Sequence, residues 1–126
     1  QAKNTTKGPE KLCLEGKKWL VENFTGRRDL VVESESMAQS VCVYKCDDCV
    51  LQVKGKVNSI VVDQCKKFSI AFDSIVSCVE FINSKRIQAQ VSRGNRCGIF
   101  RIYLNFNRSL FRIGYGCSSY RYDGFY

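Results

Sequence analysis

The sequence predicts an all-β domain wound as a parallel β-helix, a solenoid with coils of about 19 residues. Three observations predict it. First, short runs rich in Val, Ile and Phe recur about every nine or ten residues and alternate with polar residues, as in Leu51-Gln52-Val53 and Ile87-Gln88-Ala89-Gln90-Val91. Second, a larger unit repeats: CDDCVLQVKGKVNSIVVDQ from Cys46, CKKFSIAFDSIVSCVEFINS from Cys65 and KRIQAQV from Lys85. Leu51, Ile70 and Ala89 fall at equivalent places in it, as do Val53, Phe72 and Val91. Third, nothing before residue 92 has the spacing of an amphipathic helix. A unit this short cannot bury its own apolar face, so the units must stack. A β-sandwich shares the strand spacing but has no such internal register.

The elements follow in order. Residues 1–11, QAKNTTKGPEK, are polar, contain Gly8-Pro9, and read as a flexible end or linker. The β pattern begins at Leu12, and its runs are expected over 18–21, 30–33, 41–44, 50–53, 59–62, 68–72, 79–82 and 87–91. Turns are expected at Lys54-Gly55-Lys56, Asp63-Gln64, Asp73-Ser74 and Asn83-Ser84, with Gly55 free to take a positive φ. Trp19, with Val21 and Phe24, is expected to cover the open end of the first coil, because a solenoid needs a cap. The alternative is an exposed Trp19 acting as a binding anchor.

Residues 12–91 are thus the solenoid, and 92–126 differ in composition. All eleven Lys lie before residue 92, whereas nine of the fifteen aromatics and six of the nine Arg lie after it. This atypical Arg- and aromatic-rich tail is expected to be an added or altered segment. Its other reading is a stacking surface for single-stranded RNA.

Composition excludes several classes. The chain has 126 residues, one domain's worth, and no His, so histidine bases, His metal ligands and Ser-His or Cys-His nucleophile pairs are out of reach. No run approaches the roughly 18 apolar residues of a membrane-spanning helix. No Gly-rich phosphate loop of the GxxxxGK kind is present. The net charge of +8 favours acidic partners: nucleic acid, anionic lipid or an acidic protein surface. Eight Cys is below the density of a disulfide scaffold, so a reducing, cytoplasmic setting is expected, without cofactors. The chain begins with Gln1 and no basic-then-apolar leader, and a fragment or processed product is the expectation.

Four motifs then occur in order: LEGKKWLVEN from Leu14, VYKC from Val43, LQVKGKVNSIVVDQCKK from Leu51 and FDSIVSCVEFINSK from Phe72. Together they closely resemble the C-terminal domain of the cyclase-associated proteins, the actin-monomer-binding domain with paired CARP motifs. The resemblance covers roughly residues 12–91. It implies a right-handed parallel β-helix, a cytoplasmic place in the actin cytoskeleton, and preferential binding of ADP-loaded actin monomers. It further implies faster exchange of ADP for ATP on actin, indirect recycling of monomers from cofilin, and a homodimer made by exchange of C-terminal strands. After Val91 the chain departs from the family pattern: Ser118-Ser119 is followed by Tyr120-Arg121 rather than Glu-Met. The family's amino-terminal region is not matched, so adenylyl-cyclase binding is not implied for these residues.

The candidate actin contacts are Lys54, Lys56, Lys66 and Lys67, with Lys17, Lys18 and Tyr44. The two lysine pairs, with Lys17, Lys18 and Lys45, are expected to stack into one basic stripe meeting acidic surface. Cys42, Cys46, Cys49 and Cys65 have four-thiolate zinc chemistry, and Cys46-Asp-Asp-Cys49 has the spacing of a redox pair. Equivalent repeat positions for Cys46 and Cys65 favour buried packing over a metal site, and no metal is expected. Asp47, Asp48, Asp63 and Asp73 are read as turn residues rather than acid–base pairs, and the chain is not expected to be an enzyme. Two other functions compete. Gln90-Val91-Ser92-Arg93 loosely resembles the Gln-x-Arg pattern of the tubulin cofactor C type of GTPase-activating β-helix, with Arg93 as the inserted arginine. The basic charge alone suggests a nucleic-acid-binding module.

Overall fold

A computed structural model describes residues 8–91, with side chains through residue 90, and the backbone of 101–106, 109–114 and 119–122. These residues form strands and no helix. Strands β1 (Lys11–Glu15) and β2 (Lys18–Glu22) make an antiparallel hairpin. Gly16 takes φ 65° in the two-residue Gly16-Lys17 loop, the conformation a type II′ hairpin turn needs at its first position. The chain continues through β3 (Leu30–Glu33), β4 (Ser40–Tyr44), β5 (Asp47–Val57), β6 (Ile60–Asp63), β7 (Lys66–Ile75), β8 (Cys78–Ile82), β9 (Lys85–Val91), β10 (Arg101–Phe106), β11 (Ser109–Gly114) and β12 (Ser119–Tyr122).

Alternate strands enter alternate sheets. One sheet has the order β1-β2-β4-β6-β8-β10-β11 and the other β12-β9-β7-β5-β3. Pairing between successive coils is parallel, so the chain is a parallel β-solenoid, as the repeat predicts. The register reproduces the expected equivalences: Leu51 sits beside Ile70 and Ile70 beside Ala89, while Val53, Phe72 and Val91 form the next rung. The first coil is longer, because the loop from Ser34 to Gln39 lies between β3 and β4. Val21 therefore pairs through Leu20↔Cys42 and Val21↔Val43 outside the later spacing, which hides this coil from a search at fixed period.

The core is a set of columns running along the solenoid axis. Val21, Val43, Val62 and Phe81 stack from one sheet, and Leu30, Leu51, Ile70 and Ala89 from the other, all buried. Each fully buried aliphatic or aromatic side chain contributes about 1.5–3 kcal/mol relative to exposure. Trp19 and Leu12 pack against this core, and Trp19 Nε1 donates to Gln39 Oε1 at 2.9 Å. Trp19 thus covers the first coil together with the β1 hairpin, and the exposed-anchor alternative falls away.

Three local expectations change. Strand β1 precedes the first expected run, which began at Lys18, and it starts at Lys11, one residue inside the expected flexible end. Lys54-Gly55-Lys56 is not a turn but lies inside β5, and Asp73-Ser74 lies inside β7. The pairing of these strands shifts register between Val53 and Lys56, which is a β-bulge. Gly55 does take the anticipated positive φ, at 89°.

Candidate functional site

The solenoid has two long edges where the chain passes between sheets, and both are basic. At the first edge each coil turns sharply after its strand in the seven-stranded sheet. Asn23, Lys45, Gln64 and Asn83 occupy this corner with φ of 67°, 54°, 56° and 46°. Three residues on, Gly26, Asp48, Lys67 and Arg86 repeat the left-handed conformation with φ of 70°, 56°, 53° and 56°. For residues other than glycine this region costs roughly 1–2 kcal/mol each. Backbone bonds between coils hold it: Lys45 N–H donates to Asp63 O at 3.0 Å, Gln64 N–H to Ile82 O at 2.9 Å and Lys85 N–H to Cys65 O at 3.0 Å.

Between the two left-handed columns run Phe24, Cys46, Cys65 and the buried Ser84. Cys46 N–H donates to Cys65 Sγ at 3.4 Å, and Cys65 N–H to Ser84 Oγ at 3.1 Å, each across 19 residues. Burial pushes the Cys65 thiol far up from its ordinary range, aided by its neighbour Cys46. This is stacking of small buried groups, as the repeat position suggests. Cys42 lies on β4 between the buried Val41 and Val43 and so faces the opposite way from them. The four candidate thiols do not converge, and among the described residues no group of three or more His, Cys, Asp or Glu is placed to hold a metal.

On the outside of the same corner, Asp47 pairs in register with Lys66 and Lys66 with Lys85. With Asp48, Lys67 and Arg86 they line a groove of about 420 Å³. Asp48 is held by Arg28, whose Nη2 lies 2.6 Å from its Oδ1. Beside the groove, Lys45 Nζ sits 5.3 Å from the centroid of the Tyr44 ring, a cation–π contact.

The second edge is where the chain leaves the five-stranded sheet. Here the bulge in β5 carries Lys54 and Lys56, both exposed. Ser34 N–H donates to Lys54 O at 2.9 Å, Ser34 Oγ to Lys56 O at 2.9 Å, and Gly55 N–H to Asp73 Oδ2 at 2.9 Å. A Cβ on Gly55 would sit 2.7 Å from the Ser34 carbonyl oxygen, so the close approach itself demands glycine. Lys17 and Lys18 belong to this edge as well: Lys17 O accepts from Ser40 N–H at 2.9 Å and Lys18 pairs with Ser40. Met37 and Val76, 54% and 50% exposed, lie on turns of the same edge. Gln39 Oε1 ties the loop to Trp19 and accepts from the Glu35 N–H at 3.3 Å.

The expected single stripe of lysines therefore does not form. Lys54 pairs with Glu33 and Lys56 with Ser74, at one end of their strands, whereas Lys66 pairs with Asp47 at the other end. Lys17, Lys18, Lys54 and Lys56 share one edge, and Tyr44, Lys45, Lys66 and Lys67 the opposite one. Sequence reasoning missed Ser34 and Gln39 and took Asp73 for a turn residue, although all three shape the bulge, and it passed over the exposed Met37 and Val76. The carboxylates do not assemble into an acid–base pair: Asp73 accepts from backbone, Asp48 pairs with Arg28, and Asp63 stands on β6. Burial, with Glu80 nearby, raises the Asp63 carboxyl pKa above the ordinary range, against an opposing hydrogen bond from Gln64, and its Oδ1 is buried without a hydrogen bond. Arg93 lies outside the described residues.

The family described as adenylate cyclase associated (CAP) C terminal matches residues 8–99. The chain belongs to this family. Adenylyl cyclase-associated protein 2 of Mus musculus is 56% identical over 80 residues, 64% of this chain and 17% of that protein. Adenylyl cyclase-associated protein 1 of Homo sapiens is 51% identical over 87 residues, 69% of this chain and 18% of that protein. This CAP C-terminal chain thus matches under a fifth of the length of these relatives. The crystal structure of cyclase-associated protein from Cryptosporidium parvum superposes with a TM-score of 0.63, covering 86% of this chain and 85% of that one. At 19% identity that likeness bears on the fold alone, and it supports the solenoid. Among the described residues no helix is long and apolar enough to cross a membrane.

Proposed function

We propose that this CAP C-terminal domain is a non-enzymatic binder of actin monomers in the cytoplasm. It prefers ADP-loaded actin, speeds replacement of ADP by ATP, and so helps return monomers held by cofilin. The observation that carries the reading is the family match across residues 8–99 on a four-coil solenoid. The edge formed by Lys17, Lys18, Lys54 and Lys56 supports it. Met37 and Val76 are exposed on turns of the same edge and offer apolar surface to a partner. Lys66 and Lys67, on the far edge that also carries Tyr44, add positive potential that steers approach to an acidic partner. Each exposed lysine pair contributes about 0–1 kcal/mol, so several act together.

The mechanism is a population shift. The domain binds actin with a loosened nucleotide cleft more tightly than actin with a closed one, and it moves the equilibrium by the difference in affinity. A homodimer through the C-terminal strands, as the family pattern implies, would double the contacts.

The test is equilibrium binding to ADP-actin and ATP-actin monomers, with nucleotide release followed in the same samples. Tight, ADP-selective binding with faster release is expected. Lys54→Gln/Lys56→Gln is expected to weaken binding several-fold. Failure of a folded domain to bind either form would overturn the reading. Mass measured by light scattering reports the dimer.

A further inference from the structure

We propose that Ser36 is a phosphorylation site for a protein kinase that reads acidic residues, and that its phosphate draws the lysines of the second edge onto the loop and away from an acidic partner. The surface narrows the choice of residue. Among the described Ser and Thr, only Thr25, Ser36 and Ser77 are exposed. Thr25 is bridged to Asp47 across the corner. Ser77 sits in the two-residue turn between β7 and β8, with its N–H donated to Asn58 O at 2.8 Å. Ser36 lies in irregular chain, midway along the loop from Ser34 to Gln39. Met37 and Ala38 in that loop are both exposed, so opening it for a kinase uncovers no core. The flanks supply the recognition signal: Glu35 stands immediately before Ser36 and Glu33 three residues before it, both exposed.

The transfer takes the terminal phosphoryl group of ATP. The Ser36 hydroxyl oxygen bonds to the γ-phosphorus as the bond from that phosphorus to the bridging oxygen breaks. ADP leaves with the bridging oxygen, and the hydroxyl proton passes to the kinase's carboxylate base. A neutral hydroxyl is thereby replaced by a group with about −1.5 to −2 charge at neutral pH and three strong acceptor oxygens.

What the loop packs against decides what that charge does. Ser34 Oγ lies 3.0 Å from Ser36 O and 2.9 Å from Lys56 O, and Ser34 N–H donates to Lys54 O at 2.9 Å. The start of the loop is therefore laid on the bulge that carries the two exposed lysines. Just past its end, Ser40 N–H donates to Lys17 O at 2.9 Å. The flexible four-carbon stem of a lysine lets its ammonium swing to a phosphate held between these points. Ser36 Oγ already accepts the Ala38 N–H at 3.0 Å, so a phosphate there keeps a backbone donor and gains charged ones. Glu33, the register partner of Lys54, competes with one charge against the phosphate's two. The same lysines form the basic edge of the actin reading, and only the expected loss of actin affinity rests on that reading.

The experiment treats the full 126-residue chain with casein kinase 1 and ATP, maps the product by peptide mass spectrometry, and follows the phosphate by phosphorus NMR across pH. One phosphate on Ser36 is expected, and none on Ser36→Ala. Ammonium groups close by favour the dianion, so the second pKa of the phosphate should fall about half a unit or more below its value in the urea-unfolded chain. Lys54→Gln/Lys56→Gln should restore most of that difference, whereas Lys66→Gln/Lys67→Gln, on the far edge, should leave it unchanged. Phosphorylation should weaken binding to ADP-actin about fivefold or more, the sum of two lysine contacts. No phosphate on Ser36 of the folded chain, or the same second pKa folded and unfolded, would overturn the proposal. So would full actin affinity in the phosphorylated chain. Failure of the unmodified chain to bind actin would instead overturn the functional reading, and the phosphorus titration would still decide the lysine contacts.

Discussion

The bulge in β5 offers a sharp test of how the second edge is built. Replacing Gly55 by alanine meets two separate penalties. The backbone φ of 89° lies outside the range that side chains accept, which costs roughly 1–2 kcal/mol. The new Cβ would also lie 2.7 Å from the Ser34 carbonyl oxygen. Ser34 cannot easily retreat, because its N–H is bound to Lys54 O and its hydroxyl to Lys56 O, each at 2.9 Å. Forcing an extra carbon into so fixed a contact costs about 1–3 kcal/mol. The sum is roughly 3 kcal/mol, which for a domain of this size lowers the melting temperature by about 12 °C. Gly16→Ala is the control: its φ is 65°, but a Cβ there meets nothing within 4 Å. It should lose only the strain, about 1–2 kcal/mol. Thermal unfolding by circular dichroism measures both. Equal losses in the two variants would refute the steric argument and leave backbone strain as the whole effect.

Three further outcomes follow from the corner and the sheets. Ser84→Ala removes the acceptor for the Cys65 N–H and a donor to Ile82 O, costing about 1–3 kcal/mol in urea unfolding; Ser84→Cys, which copies the thiols of the preceding coils, should cost less than half of that. Asp63→Asn should stabilise the fold near neutral pH, because it removes a carboxylate whose folded pKa is raised by burial and by Glu80. The carboxylate's penalty is full above its folded pKa and fades as pH falls toward the unfolded value of about 3.9, so the gain should shrink on acidification; a gain that grows toward acid would contradict the assignment. Cys46, Cys49 and Cys65 should resist a thiol reagent at mild alkaline pH until urea unfolds the chain, and peptide mapping that finds them modified in the folded protein would contradict their burial.

The solenoid was legible because its columns are written into the sequence at a fixed interval. Leu51, Ile70 and Ala89, or Cys46 and Cys65, are side-by-side neighbours because one coil separates them. Strand β1 was not legible, since Leu12 and Leu14 follow a polar stretch and only pairing with Trp19 and Val21 makes them a strand. Lys54-Gly55-Lys56 has the composition of a turn, and its bulge exists because of Ser34 one coil earlier and Asp73 one coil later. The two lysine pairs were expected together although Lys54 and Lys66 are separated by less than one repeat. That shorter interval carries the chain across a sheet and around a corner, which sets the pairs on opposite edges. The groove escaped notice because Arg86 lies past the recognisable lysine motifs and joins Lys67 only through stacking.

The directions of the outermost strands have a consequence for how such a molecule can change. A coil laid parallel on its predecessor presents the same template that it received, so nothing in the repeat itself says how many coils to make. The stop comes from reversal: β1 runs against β2, β11 against β10, and β12 against β9. Length is therefore written in the lids and not in the repeat, and it comes in quanta of one coil. Loss or gain of a whole quantum would carry the lids along intact and leave each remaining rung facing a proper neighbour, whereas an odd number of residues gained or lost within a strand would turn the rest of that strand inside out.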